Sequence, residues 1–276
     1  MNTKAIKFIF ATIIPFFMVQ HAIASGFPMR KGKALLAPYL SYFVANQYRD
    51  LNGQKYSYAN DGKYSSFTTQ LYLEYGITDH LDLVAKLPLT SAQFKDNIQR
   101  NRNTALSDVE IGLKYNLLEF NQKKYFLSAQ ALAAIPLYSK NGNPSTGYGQ
   151  FGSELKLLFS GSTAAAYFNV EAGYRQYFGN TFGNVGQLSY IATSGLHLGK
   201  NNQLMGEING ISSLRSNQFN PENPASNTEF TFIKANISFG QRITGENWIF
   251  AGLFHDIFNR NSGIGQGLTV TGIIRF

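Results

Sequence analysis

Acids and bases recur along this chain at even spacing, most of them between apolar neighbours. Glu74, Lys86, Asp108, Glu110, Lys114, Glu154, Lys156, Glu171, Arg175, Glu207 and Lys234 form the main set, with Asp82 and Arg275 beside them. On an extended backbone, residues two apart share a face. Asp108, Glu110 and Lys114 then project one way, and Val109, Ile111, Leu113, Tyr115 and Leu117 the other. Glu154 and Lys156 oppose Leu155 and Leu157, while Glu171 and Arg175 oppose Phe168, Val170 and Tyr174. The chemistry open to such a set is ion pairing between strands around a polar interior. Its seven acids and six bases are close to balance, which argues against strong ion selectivity. Two readings stand side by side: these residues line a water-filled passage, or they brace a filled one.

Other chemistry finds little support. Of four histidines, His21 lies in the N-terminal apolar segment, His80 in a turn, and His197 and His255 on separate strands. No HExxH spacing occurs, and without cysteine there is no thiolate metal site or disulfide. Gly263-Ile-Gly265-Gln-Gly267 has no helix after it and is not a dinucleotide fingerprint; its glycines suit a loop running into the last strand. His197 with Ser189 or Ser194 is the one conceivable pair for an interfacial hydrolase, and no motif accompanies it. We therefore assign no catalytic residue, no metal and no cofactor, and expect no enzyme. The basic balance comes without a Lys/Arg cluster or stacking platform for nucleic acid.

The elements that must position these residues follow from the same alternation. Twelve period-two segments can be drawn: Ala34–Asn46, Tyr64–Gly76, Leu81–Ser91, Leu106–Leu118, Tyr125–Leu137, Gly149–Ser160, Ala165–Phe178, Gly186–Gly199, Gln203–Arg215, Glu229–Arg242, Asn247–Asn259 and Gln266–Phe276. They exceed the roughly 5–6 residues of soluble strands and reach the roughly 9–11 that a tilted strand needs to cross hydrocarbon. Short connections such as Ile77–His80 and Gly161–Ala164 alternate with long ones such as Gln47–Lys63, Ala92–Ala105, Tyr138–Tyr148 and Ser216–Thr228. That is the spacing of tight periplasmic turns and larger outer loops. The expected fold is all-β: a transmembrane up-and-down antiparallel β-barrel of about 12 strands. The segment Asn247–Asn259 cannot be oriented, because Trp248, Phe250 and Phe254 share a face with Asp256 while Ile249, Leu253 and Ile257 share the other with His255. Trp248, Tyr125, Phe159 and Tyr167, near strand ends, suit an aromatic belt at the membrane interface.

Composition and termini agree. Charged residues are 14% of the chain, against roughly 25% in ordinary soluble domains. Lys4 and Lys7, the apolar run Phe8–Val19 and the triplet Ala22-Ile23-Ala24 read as a secretory signal peptide over 1–24, leaving one barrel domain over 25–276. Loss of Lys4 and Lys7 takes the formal charge from +8 to +6. The stretch Ser25–Lys33 is too short for a plug domain but long enough to enter the lumen, and Gln47–Lys63 is the expected constriction. The chain ends on an apolar face, Leu268, Val270, Ile274 and Phe276, similar to the terminal signal read by the barrel-assembly machinery. Expected partners are therefore outer-membrane lipid, lipopolysaccharide at basic outer loops (Arg49, Lys55, Lys63, Lys95, Arg100, Arg102, Lys140, Arg260), with plain solvated loops as the alternative there, that machinery, and a small-molecule solute.

Two passages carry a family resemblance. Tyr75-Gly-Ile-Thr-Asp79-His-Leu-Asp-Leu-Val-Ala-Lys-Leu-Pro88-Leu and Leu106-Ser-Asp108-Val-Glu-Ile-Gly112-Leu-Lys-Tyr115 resemble the outer-membrane transporter family associated with the meta-pathway of phenol degradation. Phe27-Pro28-Met-Arg-Lys-Gly32 is loosely similar to that family's mature N-terminus. The resemblance spans residues 75–118 and implies a barrel passing small, often aromatic, organic compounds across the outer membrane of a Gram-negative cell; it transfers no binding residue. Porin-like passive passage is the leading expectation, and a structural or adhesive barrel with a filled lumen is the alternative.

Overall fold

The computed structural model describes residues 26–276 except 140, 181–182, 215–219, 221 and 224–225. The expected signal peptide lies outside the described residues. In chain order the extended segments are β1 (Ala34–Arg49), β2 (Lys55–Ser57), β3 (Lys63–Gly76), β4 (Leu81–Lys95), β5 (Arg100–Leu106), β6 (Asp108–Phe120) and β7 (Tyr125–Pro136). They continue with β8 (Phe151–Ser162), β9 (Ala166–Phe178), β10 (Val185–Leu198), β11 (Asn202–Leu214), β12 (Glu229–Thr244), β13 (Asn247–Arg260) and β14 (Ser262–Arg275). Neighbours pair antiparallel, and β14 pairs back onto β1. β2 is a short arm on the outer end of β1, and β5 and β6 lie in succession against β4 as one strand interrupted at Ser107. The result is a closed barrel of twelve staves, as the alternation demanded. Closure satisfies the backbone hydrogen bonds that hydrocarbon cannot.

The outer wall is apolar. Leu155 is 69% exposed, Leu157 58% and Leu113 46%, while Lys114, two staves away from Leu155, is 0% exposed. Leaving a Leu side chain in water forgoes roughly 1.5–3 kcal/mol of burial, so a wall of them is stable only against acyl chains. With its barrel fold, this wall places the protein in the outer membrane. The even number of staves puts both ends at the short-turn rim, the periplasmic one.

Three sequence expectations change. Ala92–Ala105 is not a loop: β4 and β5 carry the ladder on to Lys95 and Arg100, and only the turn 96–99 is unpaired. Along this extension the outer face is polar (Gln93, Lys95, Arg100, Arg102, Thr104), while Ala92 and Phe94 are buried on the inner one. β13 now has a direction: Trp248, Phe250, Phe254 and Asp256 face in, and Ile249, Leu253 and Ile257 face out. A bulge opposite Ile233 and Lys234 then shifts the phase, so that Ile257 and Phe258 are both exposed and Asn259 returns inside. Of the expected belt residues, Tyr125 and Phe159 stack on the outer wall, whereas Trp248 (6% exposed) and Tyr167 (2%) lie within the lumen.

Candidate functional site: the lumen

From the periplasmic rim upward the lumen holds three layers. In the lowest, residues 26–29 are buried inside the barrel, and 30–33 lead out at the rim to β1. Lys114 Nζ donates to the Phe27 carbonyl at 2.7 Å, Met29 N–H to Asp82 Oδ2 at 3.2 Å, and Ser128 Oγ to the Gly26 carbonyl at 3.3 Å. Phe27 packs between Phe126 and Tyr167, and Met29 joins Trp248, Phe250 and Ile273. Trp248 and Tyr167 are inside because this segment covers them. Arg30 Nη1 pairs with Glu119 at 2.7 Å. Gly26 has no alternative: a Cβ there would meet Ser160 Oγ at 1.7 Å. Lys114 also pairs with Glu74 and, at 3.2 Å, with Asp82.

The middle layer is a charge network set by strand register. Lys86 faces Glu110 across β4 and β6, and Glu154 faces Arg175 across β8 and β9. Lys86 Nζ lies 2.6 Å from Glu110 Oε1, and Arg175 Nη2 2.6 Å from the same oxygen; Arg175 also pairs with Glu154. Lys156 Nζ is 3.7 Å from Glu171 and 3.9 Å from Glu154. Such linked pairs stiffen the interior, since removing one partner strands the others.

The upper layer is a cavity of about 390 Å³ under the outer loops. Aromatic rings (Phe43, Tyr58, Tyr64, Tyr148, Tyr177, Phe230 and Phe232) share its walls with polar and charged groups, Asp108, Arg175, Lys234 and Asp256 among them. Asp108 accepts from Tyr138 and Tyr177 hydroxyls, each at 2.8 Å. Tyr148 packs edge-on against Tyr177, centroids 5.0 Å apart, and donates to the Asn227 carbonyl at 2.7 Å. Burial pushes the Tyr148 phenol up to about 12 and raises those of Tyr58 and Tyr138 as well. Gln47–Lys63 does fold over the mouth, placing Tyr58 (4% exposed) on the cavity, but 137–150 shares that role through Tyr148.

All eleven main candidates, and Asp82 and Arg275, project from the inner face. They do not form one cluster. Glu74 and Lys114 belong to the lowest layer; Lys86, Glu110, Glu154, Lys156, Glu171 and Arg175 to the middle; Asp108 and Lys234 to the upper. Glu207 stands apart, held by Asn209 at 2.6 Å and Thr193 at 3.3 Å. Sequence reasoning did not place Asp256 among them, because β13 could not be oriented, nor the aromatic walls, which Tyr58 and Tyr148 supply from loops and Phe43, Tyr64, Tyr177 and Phe232 from the outer ends of β1, β3, β9 and β12. The hydrolase pair fails on geometry. Ser194 faces outward, away from luminal His197; Ser189 is eight residues along β10, roughly 26 Å at strand rise, and donates to Glu154 at 2.7 Å. No group of three or more metal-ligating side chains occurs among the described residues.

No protein-family model and no curated protein matches this sequence. Among solved structures, the chain is similar to the COG4313 outer membrane channel from Pseudomonas putida F1, at 13% identity and TM-score 0.71, over 93% of this chain and 100% of that one. It is also similar to the translocator domain of autotransporter NalP from Neisseria meningitidis (13%, TM-score 0.54, 89% of each chain). A third likeness is to the NanC porin (8%, TM-score 0.51, 86% of this chain and 98% of that one). At such identities the likeness is one of fold: the chain is an outer-membrane β-barrel.

Proposed function

We propose that this barrel is a channel for passive passage of small organic solutes, aromatic ones among them, with the eleven inward charges lining the route. The observation that carries this reading is the cavity at the outer end of the lumen, lined in part by aromatic rings, which reaches the charge network at Arg175. Ligand chambers of about 300–1,000 Å³ with apolar walls and a few polar groups are typical of small-molecule sites. The resemblance over residues 75–118 points the same way. The test is swelling of liposomes carrying the purified protein in a neutral pentose, a larger disaccharide and glycine. We expect pentose and glycine to enter faster than the disaccharide; swelling no faster than empty liposomes with all three sinks the proposal.

A second reading is favoured by the lowest layer, where Lys114 is wholly buried under the N-terminal segment. A barrel filled there throughout its lifetime would serve to display its outer loops. The same swelling assay separates the two. Assembly is a further proposal: Phe276, 68% exposed at the end of β14, is offered as the residue read during insertion. Phe276→Ala should lower the amount of protein reaching the outer membrane while leaving the stability of refolded protein unchanged.

A further inference from the structure

Lys234 is an ammonium without a hydrogen-bond or ion-pair acceptor among the described residues. Its Nζ sits 4.4 Å from the Phe254 centroid and 5.6 Å from those of both Phe43 and Phe232. Cation–π contacts offset part of the desolvation, but leave its N–H donors unused. Asp256 is its register partner across β12 and β13, yet the two form no ion pair. One Asp256 oxygen is taken by the Gly265 N–H at 2.8 Å; the other, Oδ1, is buried with no partner. Asn261 Oδ1 and the Tyr58 hydroxyl are likewise buried and unpartnered. All four groups line the same cavity.

The wall is cut to seat these rings. A Cβ at Gly265 would lie 1.8 Å from Phe43, and one at Gly267 2.6 Å from Phe254. The glycine run of β14 thus lets the two rings, stacked at 6.2 Å, lie flat beside the lysine. Water could satisfy the ammonium and the oxygens. It would leave the cavity-lining faces of Phe43 and Phe232 wet, and burying apolar surface is favourable.

We propose that Lys234, its three phenylalanines and the acceptors Asp256, Asn261 and Tyr58 form a binding site for an aromatic monocarboxylate that carries a ring hydroxyl. The carboxylate meets Lys234, the ring lies against Phe43 and Phe232, Phe254 backs the lysine, and the hydroxyl donates to one of the unpartnered oxygens. No bond is made or broken. This deepens the channel reading by naming the solute class, and rests on it for its physiological meaning.

The test is calorimetric titration of the full protein in detergent with 4-hydroxybenzoate, benzoate and 4-hydroxybenzyl alcohol. We expect 4-hydroxybenzoate to bind about tenfold or more tightly than the alcohol, the range of a charge-assisted hydrogen bond. Lys234→Gln should erase that preference and Lys234→Arg should keep it. Tyr58→Phe should narrow the advantage of 4-hydroxybenzoate over benzoate while the charge stays in place; should Lys234→Gln not refold, the Arg and Phe variants carry the comparison. Equal binding of acid and alcohol by the wild type, or an unaltered preference in Lys234→Gln, overturns the site. Pentose flux in the same preparations keeps the two ideas apart. Normal flux without acid preference removes the site alone; acid preference without flux removes the channel alone.

Discussion

Lys114 answers two carboxylates and a backbone carbonyl from a position with no solvent contact. Taking away one partner of a buried ion pair costs about 3–5 kcal/mol, because the remaining charge stays desolvated. We expect Lys114→Met to lower the denaturant midpoint of refolded protein and to expose residues 26–33 to protease; an unchanged midpoint would remove Lys114 as the anchor. Tyr148 makes a different test. Its folded phenol titrates near 12 against an ordinary 10.0, because it is buried. A raised folded value means its contribution is complete below pH 10 and is lost as pH climbs through about 12. Tyr148→Phe should therefore flatten the fall of stability in that window. A fall as steep as the wild type's would show that Tyr148 does not carry it.

Strands differ in how openly they declare themselves. β6, β8 and β9 could be oriented from alternation alone, because lipid admits leucine and refuses lysine. Placing Arg at mid-depth on that face costs about 2–4 kcal/mol. Leu157→Arg should destabilise the barrel by that amount in folding titrations into lipid vesicles, and Leu157→Ile should not. β13 stayed ambiguous for a physical reason. Its inward Trp248, Phe250 and Phe254 pack on the N-terminal segment and on Phe43, so both faces are apolar and the two-residue signal vanishes. The bulge near Ile257 hides it further. The glycine run in β14 suits a loop running into the last strand when taken from sequence alone; in the structure it makes room for rings on β1 and β13, contacts no local pattern carries. Gly265→Val should displace Phe43, which near-ultraviolet dichroism would register as altered aromatic packing; an unchanged spectrum would show that the ring does not need that space. The loop contributions were hidden for the same reason: Tyr148 meets Asn227 across 79 residues of sequence.

At the scale of the molecule, one geometric rule accounts for most of what is observed. A closed wall in lipid drives charge inward, and strand register then decides which acid meets which base. The balance of those charges was readable beforehand; their separation into a latch, a network and an aromatic chamber was not, since it depends on depth along each stave. The N-terminal segment occupies the periplasmic end and the outer loops roof the chamber, so any route for solute is narrow. Passage is most directly measured as current through single molecules in planar bilayers. We expect small discrete steps from the wild type, and larger ones from Lys114→Met, in which the segment 26–33 loses its central anchor. A wild type and a variant that both insert yet carry no current would contradict passage through this lumen.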